Sequence, residues 1–465
     1  MGTVLQGALI VTAADQFYGD LRMEGEKITS IGHGVAQPHD TVIPLEGCYL
    51  FPGGIDPHTH FDLPVGTIRT ADDFASGSRA ALLGGTTTII DFATQFRGET
   101  LSQALKNWHS LASGQCYTDY GFHMAITDWN EKIAREMKTL TKFAGVSSFK
   151  LYMAYKHVLQ VDDGALLSAF QAAVEAGALI CLHCENGDVI DSLVKQSLAA
   201  GRRDPANHPL TRPAAIEEEA VRRAIIIAKL AGAPLYIVHL TCRGALEAVA
   251  EARLQGQQVS CETCPQYLLL DDSRYRLPCF EGAKYVISPP LRSPSDQQAL
   301  WQGLAAGIVD TVATDHCSFH FAGQKELGRH DFSKIPNGMP GVETRLSLLY
   351  TYGVAAGKIS LQQFVALTST HAAKLFGLYP RKGTLAIGSD ADITVWDPAY
   401  EGQISAATQN QRVDYSPFEG FRQQGRVKMV FLRGQAVVDG SQLLTDGPQG
   451  RYLHRSIVLF QQKGK

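Results

Sequence analysis

Residues 49–60 read YLFPGGIDPHTH, a short apolar run that ends in a cluster of polar side chains. The run Tyr49–Asp56 has the composition of a buried strand. In a strand, residues two apart point to the same face, so His58 and His60 direct two imidazoles toward one point. Histidine is a common ligand of borderline cations such as zinc. Two hydrogen-bonded turn histidines would give the same H-x-H pattern, so on its own it leaves both interpretations open.

Seven further apolar runs follow along the chain, separated by segments with helical periodicity. The runs are Thr86–Phe92, Tyr120–Ile126, Ser147–Met153, Ala178–His183, Pro234–Leu240, Gln257–Thr263 and Ile308–Asp315. The helical segments include Asp72–Leu83, Gly164–Glu175, Ile216–Ala231 and Gly244–Leu254. Strict alternation of strand and helix is typical of a parallel sheet, and eight such units predict a closed barrel. We therefore expect an α/β fold with a TIM-like (β/α)8 barrel.

The two ends of the chain carry a different pattern, with short strands of alternating polarity separated by turns. These segments are Val4–Thr12, Asp20–Glu24, Lys27–Ile31, Thr41–Pro44, Asp392–Asp397 and Val427–Leu432. We predict that they form one small β-sandwich of antiparallel strands. The predicted domains are residues 1–52 with 378–465, including a C-terminal tail, and the barrel at residues 53–377.

Composition narrows the class of protein. The chain has 465 residues, 42 Lys and Arg against 46 Asp and Glu, and no basic run, so we expect neither nucleic acid nor an anionic membrane as a partner. Its most apolar stretch, Ala224–Leu240, is interrupted by Lys229 and Pro234 and is too short to span a bilayer. Nine cysteines in a large chain without a basic leader favour a reducing, cytoplasmic location.

The ends of the predicted strands carry the candidate chemistry, because barrel enzymes place their sites at the carboxyl ends of the strands. The fifth, sixth and eighth runs end at or beside His183, His239 and Asp315. A single histidine at a strand end is more often structural than a ligand. Together with His58 and His60, however, four histidines and a carboxylate converge on one face, which favours a metal site. Asp315 follows mostly apolar residues, where an unpaired carboxylate would be costly.

Lys150 lies in the middle of the fourth apolar run, Ser147–Met153. A lysine in such a run often extends its ammonium to solvent or pairs with an acid. Beside two cations, a buried ammonium is disfavoured, and burial shifts lysine toward its neutral amine. A neutral amine adds carbon dioxide to give a carbamate with two oxygens. We therefore predict that Lys150 is carboxylated (N6-carboxylysine) and bridges two metals.

Several motifs in the chain resemble those of one enzyme family. They are residues 53–60 (GGIDPHTH), 150–156 (KLYMAYK), 262–268 (ETCPQYL), 288–292 (SPPLR), 313–317 (ATDHC), 336–341 (PNGMPG) and 383–397 (GTLAIGSDADITVWD). They resemble the cyclic amidohydrolases of the amidohydrolase superfamily, and most closely the D-hydantoinase (phenylhydantoinase) and dihydropyrimidinase family. The resemblance covers nearly the whole chain.

The resemblance assigns a role to each candidate residue. It implies that His58, His60 and Asp315 hold one divalent cation, that His183 and His239 hold the second, and that carboxylated Lys150 binds both. Zinc is the expected metal, with manganese as an alternative, and carbon dioxide is needed for the carboxylation. The resemblance also implies that Ser288 and Asn337 bind the ring amide of the substrate through their backbone groups. Because members of this family are usually homotetramers, the resemblance implies a homotetramer for this chain as well.

The predicted reaction opens the cyclic amide of a hydantoin or a dihydropyrimidine to an N-carbamoyl amino acid. We expect Asp315 to act as general base and then as general acid. Tyr155 is expected to donate a hydrogen bond to the oxyanion. The apolar residues Leu63, Pro64 and Val65 on a predicted loop suit a hydrophobic ring substituent. They do not separate the two substrate classes or the enantiomers.

Three alternatives stay open at this point. A dihydroorotase would have an arginine two residues after the second histidine, where this chain has Asp62. An allantoinase is only weakly disfavoured by the motifs. Some relatives of dihydropyrimidinase are non-catalytic scaffolds that have lost metal ligands, whereas this chain keeps all six positions.

Overall fold

The computed structural model describes residues 1–456. The last nine residues of the predicted C-terminal tail, 457–465, lie outside the described part. The strands are β1 Thr3–Val11, β2 Gln16–Glu24, β3 Lys27–Gly32, β4 Thr41–Pro44, β5 Tyr49–Pro52, β6 Gly54–Thr59, β7 Pro64–Val65, β8 Ile68–Arg69, β9 Thr86–Thr94, β10 Asp119–Ala125, β11 Ser148–Tyr152, β12 Leu179–His183, β13 Leu235–Ile237, β14 Val259–Thr263, β15 Thr311–Val312, β16 Ile393–Gln403, β17 Arg422–Leu432, β18 Gln435–Asp439 and β19 Gln442–Leu443.

The helices lie mainly between the barrel strands. They are α1 Phe74–Leu83, α2 Leu101–Ala112, α3 Glu131–Phe143, α4 Asp163–Ala176, α5 Gly187–Ala199, α6 Ala214–Ala231, α7 Arg243–Leu254, α8 Pro265–Leu269, α9 Pro294–Ala305, α10 Arg345–Leu349, α11 Leu361–Val365 and α12 His371–Leu375. Helix α4 shows how local sequence sets these bounds. The Asp162 side chain accepts a hydrogen bond from the Ala165 N–H at its start, and Gly177 ends it in the left-handed conformation.

Eight parallel strands form the barrel, in the order β15-β14-β13-β12-β11-β10-β9-β6. A parallel bridge between Thr59 and His316 connects the two ends of this order and closes the barrel. The predicted (β/α)8 barrel is therefore confirmed. None of the helices within residues 1–456 is long and apolar enough to cross a membrane.

The second sheet unites the two ends of the chain. Its strands run in the order β19-β18-β17-β16-β5-β1-β2-β3, and β4 pairs with β1. Its core combines side chains from both ends, among them Leu5, Ile10, Ile393 and Phe431. The predicted small β-domain built from both ends is confirmed, while the residue numbers given for the domain boundaries stay a prediction.

Two details of the strand predictions are wrong. Tyr49–Asp56 is not one strand, because the chain passes between the two sheets at Gly53. The Gly53 N–H donates to Asp392 and the Gly54 N–H donates to Gly85, so adjacent residues belong to different sheets. The strands of the small domain are also not all antiparallel, since β1 pairs in parallel with both β4 and β5. Chain connectivity between distant segments sets both features, and local polarity patterns do not record it.

Candidate metal centre

The six predicted metal ligands lie at or just beyond the carboxyl ends of five barrel strands. His58 is in β6 and His60 directly follows it, Lys150 is in β11, His183 ends β12, His239 follows β13 and Asp315 follows β15. All are buried except His60, whose side chain is 11% exposed. Burial of so many ionisable groups at one place requires compensation by partners or cations.

His58, His60 and Asp315 form a compact group whose ligand atoms all lie within 4.8 Å of one another. One oxygen of Asp315 is 3.1 Å from His58 Nε2 and 3.2 Å from His60 Nε2. A carboxylate oxygen with two imidazole nitrogens is a donor set that binds a divalent cation.

Glu262 fixes the orientation of His58. The His58 Nδ1 atom is hydrogen-bonded to Glu262 Oε1, and the same oxygen accepts the His239 backbone N–H at 3.1 Å. If Nδ1 carries the proton, His58 presents its Nε2 lone pair to Asp315, so a cation or a second proton must lie between them. Burial alone lowers the pKa of His58, but Glu262 and Asp315 raise it to about 9, which shows how strongly the pocket attracts positive charge.

His183 and His239 form the second group. The His183 Nδ1 and His239 Nε2 atoms are 2.9 Å apart. The other nitrogen of His183 faces Glu185 at 2.9 Å, and Glu185 also accepts a hydrogen bond from Arg212 at 2.8 Å. A proton donated to Glu185 leaves the Nδ1 lone pair of His183 facing His239. Metal-ligating histidines are oriented by carboxylates in this way.

Lys150 lies within electrostatic reach of both groups. After burial, its charge is among the causes that lower the pKa values of His60, His183 and His239. Burial also lowers the pKa of Lys150 itself, to about 8, and its Nζ lies 5.0 Å from the centre of the Phe92 ring. No carboxylate within residues 1–456 forms an ion pair with it. The neutral amine that carboxylation requires is therefore accessible near neutral pH.

Three of the predicted site residues have left-handed backbone conformations. The φ angles are +66° at Tyr155, +38° at His239 and +51° at Asp315. Such angles are uncommon for residues other than glycine and cost free energy, and they are concentrated at functional sites. Here they follow strands β11, β13 and β15, where the chain turns across the mouth of the barrel.

Tyr155 lies next to the second histidine group, with its ring centre 5.3 Å from that of His183. Burial raises the pKa of its phenol, so Tyr155 remains a proton donor at neutral pH. Ser288 is also buried, and its hydroxyl lies beside the phenol of Tyr155, whose pKa it lowers against the larger effect of burial. The loop that contains Asn337 adjoins the Ser288 loop, since the Gly338 N–H donates to the Val286 carbonyl at 3.0 Å.

Sequence reasoning missed the residues that orient the ligands, namely Glu262, Glu185 and Arg212. Glu262 stands in an otherwise buried strand, so the argument applied to Asp315 would have identified it. Glu185 is two residues after His183, beyond the end of the strand. Nothing in the local sequence marks Arg212, which reaches Glu185 across 27 positions of the chain.

The two groups fit a pair of divalent cations. Each brings imidazole or carboxylate atoms to within 2.9–3.2 Å of one another. Lys150 is buried close to both groups, and no acid within residues 1–456 forms an ion pair with it. The chemistry of the donor set matches borderline cations such as zinc, which bind imidazole and carboxylate together.

Comparison with known proteins agrees with this arrangement. Residues 49–437 match the model of the amidohydrolase family. The chain is 49% identical to a D-hydantoinase of Geobacillus stearothermophilus over 98% of this chain and 97% of the relative. It is 47% identical to a D-hydantoinase of Streptomyces coelicolor, covering 98% and 99%. The solved structure of dihydropyrimidinase from Brevibacillus agri NCHU1002 has a TM-score of 0.97 at 48% identity, covering 98% and 99%. The resemblance seen in the sequence is confirmed.

Proposed function

The chain belongs to the amidohydrolase family, and we propose that it opens the cyclic amide bond of hydantoins or dihydropyrimidines to give N-carbamoyl amino acids. One observation carries this proposal. Two groups of buried ligand atoms, His58 with His60 and Asp315, and His183 with His239, face the same barrel mouth with Lys150 within electrostatic reach of both.

We propose that His58, His60 and Asp315 would hold one cation, that His183 and His239 would hold the other, and that carboxylated Lys150 would be a ligand of both. Zinc fits this donor set, and manganese is the alternative. When bound, such a pair supplies Lewis-acid polarisation of a carbonyl and a water of lowered pKa.

Asp315 is placed to move the proton in the reaction. Its carboxyl is held ionised, because His58 and His60 overcome the effect of burial and keep its pKa well below the usual range. An ionised carboxylate accepts a proton from the attacking water, and it then donates that proton to the ring nitrogen that leaves.

Tyr155 supplies the hydrogen bond to the developing oxyanion. Its phenol stays protonated because burial raises its pKa. Arg212 lies over the ring of Tyr155, with its guanidinium carbon 5.7 Å from the ring centre, and holds the ring in place. The backbone groups of Ser288 and Asn337 are proposed to bind the ring amide.

The loops around the mouth favour rings with an apolar substituent. The hairpin of β7 and β8 presents Val65, which is 38% exposed, and Val158 after β11 is 64% exposed. Asp62 stands where a dihydroorotase would have an arginine. Its carboxylate accepts a hydrogen bond from the Phe74 N–H and so lies at the start of α1. Because the two relatives from Geobacillus stearothermophilus and Streptomyces coelicolor are D-hydantoinases, we propose D-5-substituted hydantoins as the preferred substrates.

A panel assay tests this proposal. Protein loaded with zinc or manganese is assayed on D- and L-phenylhydantoin, dihydrouracil, allantoin and dihydroorotate. We expect the highest kcat/KM for D-phenylhydantoin. The highest value for dihydrouracil would contradict the preference for D-hydantoins and leave the wider substrate class standing. The highest value for dihydroorotate or allantoin would contradict the assignment of substrate class.

Two further features are proposals. A homotetramer is proposed from the family, and light scattering of the purified protein measures it. A cytoplasmic location is supported by the nine cysteines, all of them free and all but Cys279 buried.

A further inference from the structure

A second lysine is buried beside the site, and the catalytic account does not use it. Lys325 is 0% exposed and begins the short 3-10 helix Lys325–Gly328. Its Nζ donates to three backbone carbonyls, those of Val286 at 2.8 Å, Pro336 at 2.6 Å and Gly338 at 2.7 Å. No carboxylate within residues 1–456 forms an ion pair with it.

Three acceptors around one nitrogen define the protonation state that this geometry requires. A neutral amine has two N–H groups and a lone pair, so one of the three carbonyls would face that lone pair. The ammonium has three N–H groups and satisfies all three carbonyls. Burial lowers the pKa of Lys325 to about 7. The three hydrogen bonds favour the charged form, because hydrogen bonds from a charged donor are stronger than neutral ones.

The three carbonyls belong to the two loops that carry the proposed substrate contacts. Val286 is two residues before Ser288. The Pro336 carbonyl is part of the same peptide group as the Asn337 N–H, and Gly338 follows directly. Among the described residues, the backbone N–H groups of Ser288 and Asn337 have no hydrogen-bond partner, so they are free to bind a ligand.

The same junction connects to the metal centre. Cys317 is two residues after Asp315, and its N–H donates to the Met339 carbonyl at 3.1 Å. A Cβ on Gly338 would lie 2.2 Å from the Cys317 carbonyl oxygen, so the two loops are in close contact. The position of Gly338, which Lys325 holds, therefore fixes the Asn337 loop relative to the loop that follows Asp315.

We propose that Lys325 is a positioning residue that fixes the two substrate-binding loops relative to each other and polarises the Asn337 peptide group toward the substrate. A cation on the Pro336 oxygen withdraws electrons from the peptide group and makes the Asn337 N–H a stronger donor. This inference rests on the proposed function, because it assumes that those backbone groups bind the ring amide.

The test compares Lys325→Met with Lys382→Met in the metal-loaded enzyme. Lys382 is also buried with three oxygen partners, but these are carboxylates far from the mouth. We expect Lys325→Met to keep its metals and to lose about a hundredfold in kcat/KM, as a misplaced binding group does. We expect most of this loss as a higher KM. Lys382→Met should keep the wild-type KM, although its thermal stability should fall by at least as much as that of Lys325→Met.

A second variant covers the case in which Lys325→Met does not fold. Lys325→Gln keeps two N–H donors, so we expect it to fold and to raise KM by about tenfold, the loss of one hydrogen bond. Wild-type KM and kcat in either folded variant, with only a lower melting temperature, would show a purely structural role and overturn the proposal.

Hydrogen–deuterium exchange separates this proposal from the proposed function. Without substrate, the Lys325 variants should exchange faster than wild type in residues 286–291 and 335–341, and equally in α6. If the wild type hydrolyses none of the substrates in the panel assay but this exchange pattern is observed, the proposed function is contradicted and the ordering role of Lys325 is supported. Unchanged exchange in both loops would refute the ordering role whatever the activity.

Discussion

The two mouths of the barrel both bury a lysine, but they treat it in opposite ways. At the amino ends of the strands, Lys382 is paired with Asp119 at 2.7 Å, Asp392 at 2.6 Å and Asp390 at 3.1 Å. Burial opposes its charge, yet these three carboxylates raise its pKa. At the carboxyl ends, Lys150 has no such partner, and burial lowers its pKa to about 8. The two lysines are similarly buried. The charges of their partners, rather than burial, therefore account for the opposite shifts of their pKa values.

The histidines show the same contrast. His123 lies within β10 beside the site, and both of its nitrogens are hydrogen-bonded, to Ser148 at 2.6 Å and to the Pro57 carbonyl at 2.9 Å. In the metal site, by contrast, the Nδ1 atoms of His60 and His239 have no hydrogen-bond partner within residues 1–456, and their Nε2 atoms face other ligand atoms. Satisfied polar groups maintain the fold, and incompletely satisfied ones await a ligand.

Replacement of Lys150 should have the largest effect. Lys150→Met removes the proposed bridge, so we expect loss of both cations and no detectable turnover. Elemental analysis and kcat/KM measure the two effects. Lys382→Met is the control, since it removes an equally buried lysine from the opposite mouth. Full metal content in Lys150→Met would contradict the bridge.

Asp315→Asn should have the next largest effect. The amide keeps the shape of the side chain but accepts no proton, so kcat should fall by about 10²–10⁴, the contribution of general acid–base catalysis. Turnover is measured in variant protein whose two cations are confirmed by elemental analysis. Unchanged kcat with both cations bound would remove Asp315 from the mechanism.

Tyr155→Phe tests the oxyanion contact. Loss of one preorganised donor should lower kcat by about 10²–10³. Tyr120→Phe is the matched control, because Tyr120 is a buried tyrosine in the amino half of β10. An equal loss of kcat in both variants would show that the effect is not specific to the site.

Glu262→Gln should weaken the site without abolishing it. The amide no longer holds His58 with a charge, so metal affinity should fall by about 10–100-fold. Competition with a chelator measures this affinity, and excess metal should restore most of the activity. Unchanged chelator resistance would show that Glu262 does not tune the ligand.

Lys382→Met should have the smallest effect on catalysis and a large one on stability. Removal of Lys382 leaves the buried Asp392 without an ion-pair partner among the described residues, while Asp119 keeps Arg433 and Asp390 keeps Lys27. Loss of one partner of a buried ion pair costs about 3–5 kcal/mol in the free energy of unfolding. Denaturant titration measures this loss, while kcat per folded enzyme should equal that of wild type. A fall in kcat would break the contrast between the two mouths.

Much of the fold follows from local sequence because its elements are periodic. The apolar runs give the barrel strands, and their polar ends give the candidate ligands, since strand direction alone places His58, His183 and Asp315 at one mouth. The break at Gly53 was not predicted, because it depends on hydrogen bonds to Asp392 and Gly85.

The partners of the ligands were harder to predict than the ligands. The contact between His58 and Glu262 joins residues 204 positions apart, and three carbonyls define the environment of Lys325. Backbone acceptors leave no trace in residue types, so no sequence pattern marks such a lysine. The left-handed conformations of Tyr155, His239 and Asp315 likewise arise from the turns of the assembled barrel.

The most direct test of the account is an anomalous-difference electron density map of crystals grown from zinc-loaded protein. We predict two peaks at the carboxyl-end mouth, one beside His58, His60 and Asp315 and one beside His183 and His239. In the ordinary electron density map of the same crystals, we predict density for a carboxylate extending from Lys150 Nζ between the two positions. A map with no peak at this mouth and an unmodified Lys150 would contradict the central claim.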